Sequence, residues 1–72
     1  MTERICYLDG NMIDANQNAF GILGEVSGYF RQLGVDRKVI KEFQTTCCKM
    51  SNSDFLDYVT ATTGITFVGR QT

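Results

Sequence analysis

Residues 14–34 read DANQNAFGILGEVSGYFRQLG, and the spacing of their apolar side chains sets the class of the whole chain. Ala19, Ile22, Leu23, Val26, Phe30 and Leu33 recur at steps of three and four, which gathers them on one face of a helix. Asp14 and Gln17 have the spacing of a capping box, so the helix is expected to run from Ala15 to Leu33. Gly34 follows where a left-handed cap favours glycine.

The same stretch contains a conflict. Gly21, Gly24 and Gly28 interrupt it, and each costs a helix up to about 1 kcal/mol relative to alanine. With Ala19 and Ser27 they keep much of the helix small, so either another backbone, in a close helix crossing or a dimer, or a flat ligand can approach it. The pattern is not a phosphate loop, because it lies inside a helical periodicity and lacks a Gly-Lys-Ser/Thr ending.

Outward from this helix, Asp36 is placed to cap a second one, with Val39, Ile40, Phe43 and Cys47 as its buried stripe and Lys49 near its C-terminal end. Ser51-Asn52-Ser53 is a turn and capping segment, and Phe55, Leu56 and Val59 predict a third helix from about Asp54 to Ala61, broken by Thr62-Thr63-Gly64. Arg4–Leu8 is rich in strand formers and runs into the turn signal Asp9-Gly10-Asn11. Ile65–Val68 is β-branched and aromatic, and a polar end follows over 69–72.

The expected fold is therefore α+β and mainly α, in the order strand, helix, helix, helix, strand, with a small two-stranded ribbon packed on a three-helix unit. Seventy-two residues suffice for one core, so 1–72 is expected to be a single domain. A ribbon this small leaves open strand edges, which invite pairing with another copy and predict a homo-oligomer.

Composition narrows the functional classes. The chain is 43% hydrophobic and carries five Phe and three Tyr, which is globular rather than disordered. It has no histidine, the commonest general base and zinc ligand, and Cys6, Cys47 and Cys48 lack the spacing of a zinc knuckle. Adjacent cysteines late in a helix suit one buried and one rim thiol better than a nucleophile, and Asp54 and Asp57 suit a solvated helix face. The expectation is a protein that binds rather than catalyses, with no metal or cofactor. An odd cysteine count fits a reducing cytosol, and no apolar run approaches the length of a membrane span.

A net charge of −1 argues against duplex nucleic acid as a partner. Single-stranded nucleic acid, through Tyr29, Arg31 and Arg37, is a weaker alternative for the same reason. Locally the picture differs: Arg31, Arg37, Lys38 and Lys41 gather around one expected helix junction and are suited to a single anion. Asn16 and Asn18 stand at the start of the first helix, where they either receive an anion or simply cap it. Tyr29 leans off the apolar stripe, as a stacking surface or as the rim of the core. The expected ligand-binding set is Asn18, Gly21, Gly24, Gly28, Tyr29, Arg31 and Arg37.

Asn18-Ala19-Phe20-Gly21-Ile22-Leu23-Gly24 resembles a group of short phage- and plasmid-encoded proteins with an N-A-F-x-x-x-G helix start. Asn52-Ser53-Asp54-Phe55 is similar to the S-G-D-Y turn that opens their last helix, with Ser53 in place of the glycine. The resemblance implies an origin in a mobile genetic element, where proteins of this size often counter host defence. Such a protein works in the cytoplasm of a bacterial host, sequestering a nucleotide-type signal as a homo-oligomer or, alternatively, inhibiting a host enzyme by covering its surface.

Overall fold

The computed structural model describes residues 4–70. It contains β1 (Met12–Asp14), α1 (Ala19–Gln32), α2 (Arg37–Cys48), α3 (Asn52–Thr63) and β2 (Thr66–Val68). The fold is α+β and mainly α in the expected order, and the two strands pair parallel, with Met12 opposite Thr66, Ile13 opposite Phe67 and Asp14 opposite Val68. Of the polar end expected over 69–72, residues 71–72 lie outside the described part.

The first strand is not where residue propensity put it. Arg4–Leu8 forms no strand; its backbone N–H groups instead reach the end of α3, Ile5 and Cys6 donating to the Thr62 carbonyl (2.8 and 3.4 Å) and Leu8 to that of Thr63 (2.6 Å). A helix end leaves carbonyls without intrahelical partners, and this strap supplies donors to two of them. The chain then turns at Asp9-Gly10, with Gly10 at φ +90°, and enters β1.

Pairing of β1 also overrides the expected capping box. Asp14 is the last residue of the strand, and the Ala15 N–H donates to the Val68 carbonyl at 2.9 Å. The Asp14 carboxylate accepts from Asn16 N in a local turn. Asn18 is the true N-cap, its side-chain oxygen accepting from Phe20 N at 2.8 Å, and α1 begins at Ala19 rather than Ala15.

The other helix ends follow their local chemistry. Asp36 caps α2 by accepting from Lys38 N, and Ser51 caps α3 by accepting from Asp54 N. Thr62 and Thr63 were expected to break α3 and instead complete it. Both are fully buried, and their hydroxyls donate back to the Tyr58 and Val59 carbonyls, so neither polar group is stranded. The break falls at Gly64, in the left-handed region at φ +81°.

The core lies where the three helices meet the sheet. Ile22, Val26 and Phe30 from α1 meet Ile40, Phe43 and Cys47 from α2, Phe55, Leu56 and Val59 from α3, and Leu8, Ile13 and Ile65 from the flanking segments. Ala19 and Leu33, expected on the buried stripe, are exposed because they sit at its two ends, beyond the helices that cover the middle. Phe43 is the hinge of an aromatic trio, edge-on to Phe30 at 5.0 Å and stacked on Tyr58 at 5.6 Å. Arg70 fastens the end of the described chain to α3 through Asp57 (2.6 Å) and the Ser53 carbonyl, and its guanidinium holds the Asp57 carboxyl below the usual carboxylate range.

Phe43→Ala should destabilise the fold by about 3–5 kcal/mol, since it opens a cavity between all three helices. Urea unfolding followed by circular dichroism measures the loss.

Candidate functional site

The helical geometry of α1 sorts its residues into two faces. Ile22, Val26 and Phe30 point into the core, and Gly21, Gly24 and Gly28 lie on the opposite side. Among the described residues a Cβ built on Gly24 or Gly28 would meet nothing within 4 Å, and one on Gly21 would meet only the Gln17 side chain at 3.4 Å. No described helix crosses α1 closely at these glycines, so of the explanations that their spacing invites a crossing within the chain is excluded, and a dimer or a flat ligand is left. The core face already satisfies α1's packing, so the glycines are left toward solvent, where the fold does not need them.

Arg31 continues the glycine side one turn beyond Gly28 and sits in the last turn of α1. There the chain reverses sharply. Gly34, at φ +76°, donates to the Arg31 carbonyl and Val35 donates to that of Phe30, the paired bonds of a Schellman cap. Asp36 then opens α2 at once, so the cations at the end of one helix and the start of the next become neighbours.

Arg31, Arg37, Lys38 and Lys41 line one open concavity of about 660 Å³, with Ile40 and Gln44 on its α2 side. Gln44 is held there by a 2.9 Å hydrogen bond from its amide to the Ser27 hydroxyl. Lys38 and Lys41 also border an adjoining depression with Glu42, Thr45 and Thr46. Among the described residues the ion pairs are Arg4–Asp9 and Arg70–Asp57, so none of these four cations has a carboxylate partner.

For Arg37 and Lys38 the placement is electrostatically uphill, whereas Arg31 sits favourably in the last turn of α1. The first turn of α2 carries Arg37 and Lys38 and no acidic residue, which sets positive charge at the positive end of the helix dipole. Arg37 and Lys41 add a like-charge pair at four-residue spacing. Asp36 offsets part of this as the cap. An anion in the concavity would offset the rest.

Of the residues expected to bind a ligand, Arg31 and Arg37 come together in the concavity with Lys38 and Lys41, whereas Gly24 and Gly28 do not line it and are related to it only by the one-turn step from Gly28 to Arg31. Gly21 shares the face one turn further from the cations. Asn18 does not join them: its oxygen is spent on the cap, and it stands about 20 Å along α1 from Arg31. Asn16 is likewise engaged, donating to the Gly69 carbonyl. Tyr29 is half-buried against the core, on the flank of α1 away from Arg31.

A second concavity, of about 220 Å³, lies at the other end of α1 and was not expected from the sequence. Phe20, Leu23, Cys47, Cys48, Met50 and Phe55 are among the side chains that line it. Phe20 is 77% exposed at its rim, and its position off the apolar stripe was the available signal. Burial pushes the Cys47 thiol up to about 12, with a smaller contribution from Cys48, and burial also raises Cys6 against the opposing effect of Arg4. A thiol that remains protonated at neutral pH is a poor nucleophile.

Among the described residues, no helix is long and apolar enough to cross a membrane. No family model, curated protein or solved structure matches the chain.

Because nothing in the fold occupies their outer face, Gly24→Ala and Gly28→Ala should each raise stability by up to about 1 kcal/mol. Gly64→Ala should do the reverse, since its Cβ would lie 2.5 Å from the Arg4 and Asp9 side chains at positive φ. Thermal unfolding of the three variants tests the contrast. Iodoacetamide at pH 8 should label exposed Cys48 first and Cys47 only on unfolding, as read by peptide mass spectrometry.

Proposed function

We propose that the chain is a small phage-type binding protein that assembles as a homo-oligomer and sequesters a nucleotide-type signalling molecule, in the manner of a counter-defence protein. The observation that carries the ligand class is the concavity lined by Arg31, Arg37, Lys38 and Lys41, with Arg31 one helical turn beyond Gly28 on the glycine side of α1. Arginine forks and lysine ammonium groups suit phosphate oxygens, and a flat glycine surface lets a ring lie close to the backbone. The mobile-element setting rests on the resemblance at Asn18–Gly24 and 52–55.

Self-association is favoured by two features. Among the described residues both strands of the sheet have a neighbour on one side only, and no side chain packs on Gly24 or Gly28. A ligand on that face in a single copy stays half in water, whereas a second copy closing over it supplies the missing wall. Calorimetry against cyclic and ADP-ribose-type nucleotides, at protein concentrations where the oligomer is populated, should give heat with at least one of them. Gly24→Leu should abolish that heat and leave the circular dichroism spectrum unchanged. Silence across the panel would remove the proposal.

The apolar concavity beside Phe20 favours a second reading, inhibition of a host enzyme by a surface that receives an apolar side chain. Native mass spectrometry after gentle purification separates the two, because a sequestering protein retains a small molecule and an inhibitor retains a protein.

A further inference from the structure

The basic concavity offers more positive charge than one phosphodiester can use. Four cations line it, and none has a carboxylate partner among the described residues. Of the nearby acids, Asp36 is committed to capping Lys38 N and Glu42 borders the adjoining depression with Lys38 and Lys41. A singly charged phosphodiester at the centre would neutralise one of the four charges and leave the others, including the like-charge pair Arg37 and Lys41, without a counter-charge.

We infer that this concavity takes a contiguous polyphosphate group, a diphosphate or longer, and that Lys38 and Lys41 bind it together with Arg31 and Arg37. The inference rests on the nucleotide-sequestering reading and specifies which end of such a ligand the cations hold. Arg37 and Lys41 are separated by about 6 Å along α2, one turn of helix, so successive phosphates can engage successive side chains. Arg31 and Arg37 approach from the two sides of the Schellman turn, where their planar forks can each grip two oxygens. The lysines act as mobile point charges beside them. The floor is preorganised at one point, because the Ser27 hydroxyl holds Gln44 in place.

The test is a titration of the full chain, at fixed low salt, with inorganic phosphate, pyrophosphate, AMP and ADP. A short single-stranded oligonucleotide serves as the macromolecular polyanion. Pyrophosphate should bind at least about ten-fold tighter than phosphate, and ADP at least about ten-fold tighter than AMP. Lys41→Gln and Lys38→Gln should each weaken pyrophosphate several-fold, while Lys49→Gln, one residue past the far end of α2, should have no effect. All three side chains are exposed, so unchanged thermal melts should accompany these results.

Equal affinity for AMP and ADP would overturn the inference and leave nucleotide binding standing. Tight pyrophosphate binding to which adenosine adds nothing would uphold the inference and remove nucleotide recognition. Preference for the oligonucleotide over pyrophosphate, or no binding of any probe at millimolar concentration, would overturn the inference.

Discussion

The parallel pairing of Met12–Asp14 with Thr66–Val68 organises the rest of the molecule. Parallel strands cannot be joined by a tight turn, so the chain between them must leave the sheet and return by a crossover. Here that crossover consists of all three helices, and the buried side chains of Ile13 and Ile65 tie the sheet region to their shared core. The pairing also sets where the first helix can start, because the backbone is held extended through Asp14 and the Ala15 N–H continues the ladder to Val68. The segment before β1 depends on the same arrangement: it lies against the end of α3 because α3 leads directly into β2.

Within that crossover, two kinds of junction produce two kinds of surface. Between α1 and α2 the Schellman turn at Gly34 and the immediate cap at Asp36 leave no room for an intervening loop, so Arg31 and the first cations of α2 crowd together. Between α2 and α3 the chain passes through Lys49, Met50 and Ser51, and its apolar neighbours leave a concavity that Phe20 borders from the start of α1. One end of the helical unit is thus charged and the other apolar. The glycine side of α1 runs from the apolar end to the charged one.

The glycines and the cations share a physical logic. Each group costs the isolated fold something, the glycines through backbone entropy and the cations through mutual repulsion and, for Arg37 and Lys38, an unfavourable dipole. Among the described residues no side chain packs on Gly24 or Gly28 and no carboxylate pairs with these cations, Asp36 offsetting only part of the charge as the cap of α2. Residues that oppose stability locally without a compensating contact are departures from the local consistency that the rest of the chain shows.

The three helices, their order and most of their core were readable from the sequence, because a period of 3.6 residues and the capping preferences of Asp36 and Ser51 are local properties. So was the cluster of cations, since a short junction needs only Gly34 and a cap. What the sequence misplaced was governed by partners distant along the chain. Arg4–Leu8 has the composition of a strand, yet its donors are claimed by the carbonyls of Thr62 and Thr63. Met12–Asp14 has no strong strand signal, yet it pairs because β2 is beside it. Thr62 and Thr63 remain helical although both are buried, because their hydroxyls donate back to carbonyls of their own helix, and that of Thr63 also accepts from the Ile65 N–H beyond it. Of the open alternatives, the structure uses Asn18 as a cap through a local bond to Phe20 N and places Tyr29 half-buried against the core, while the packing of the helices leaves the glycines facing outward together with Arg31. Local chemistry largely determined where the chain becomes helical; competition for backbone donors and for the interior, settled only in three dimensions, decided which residues were left exposed.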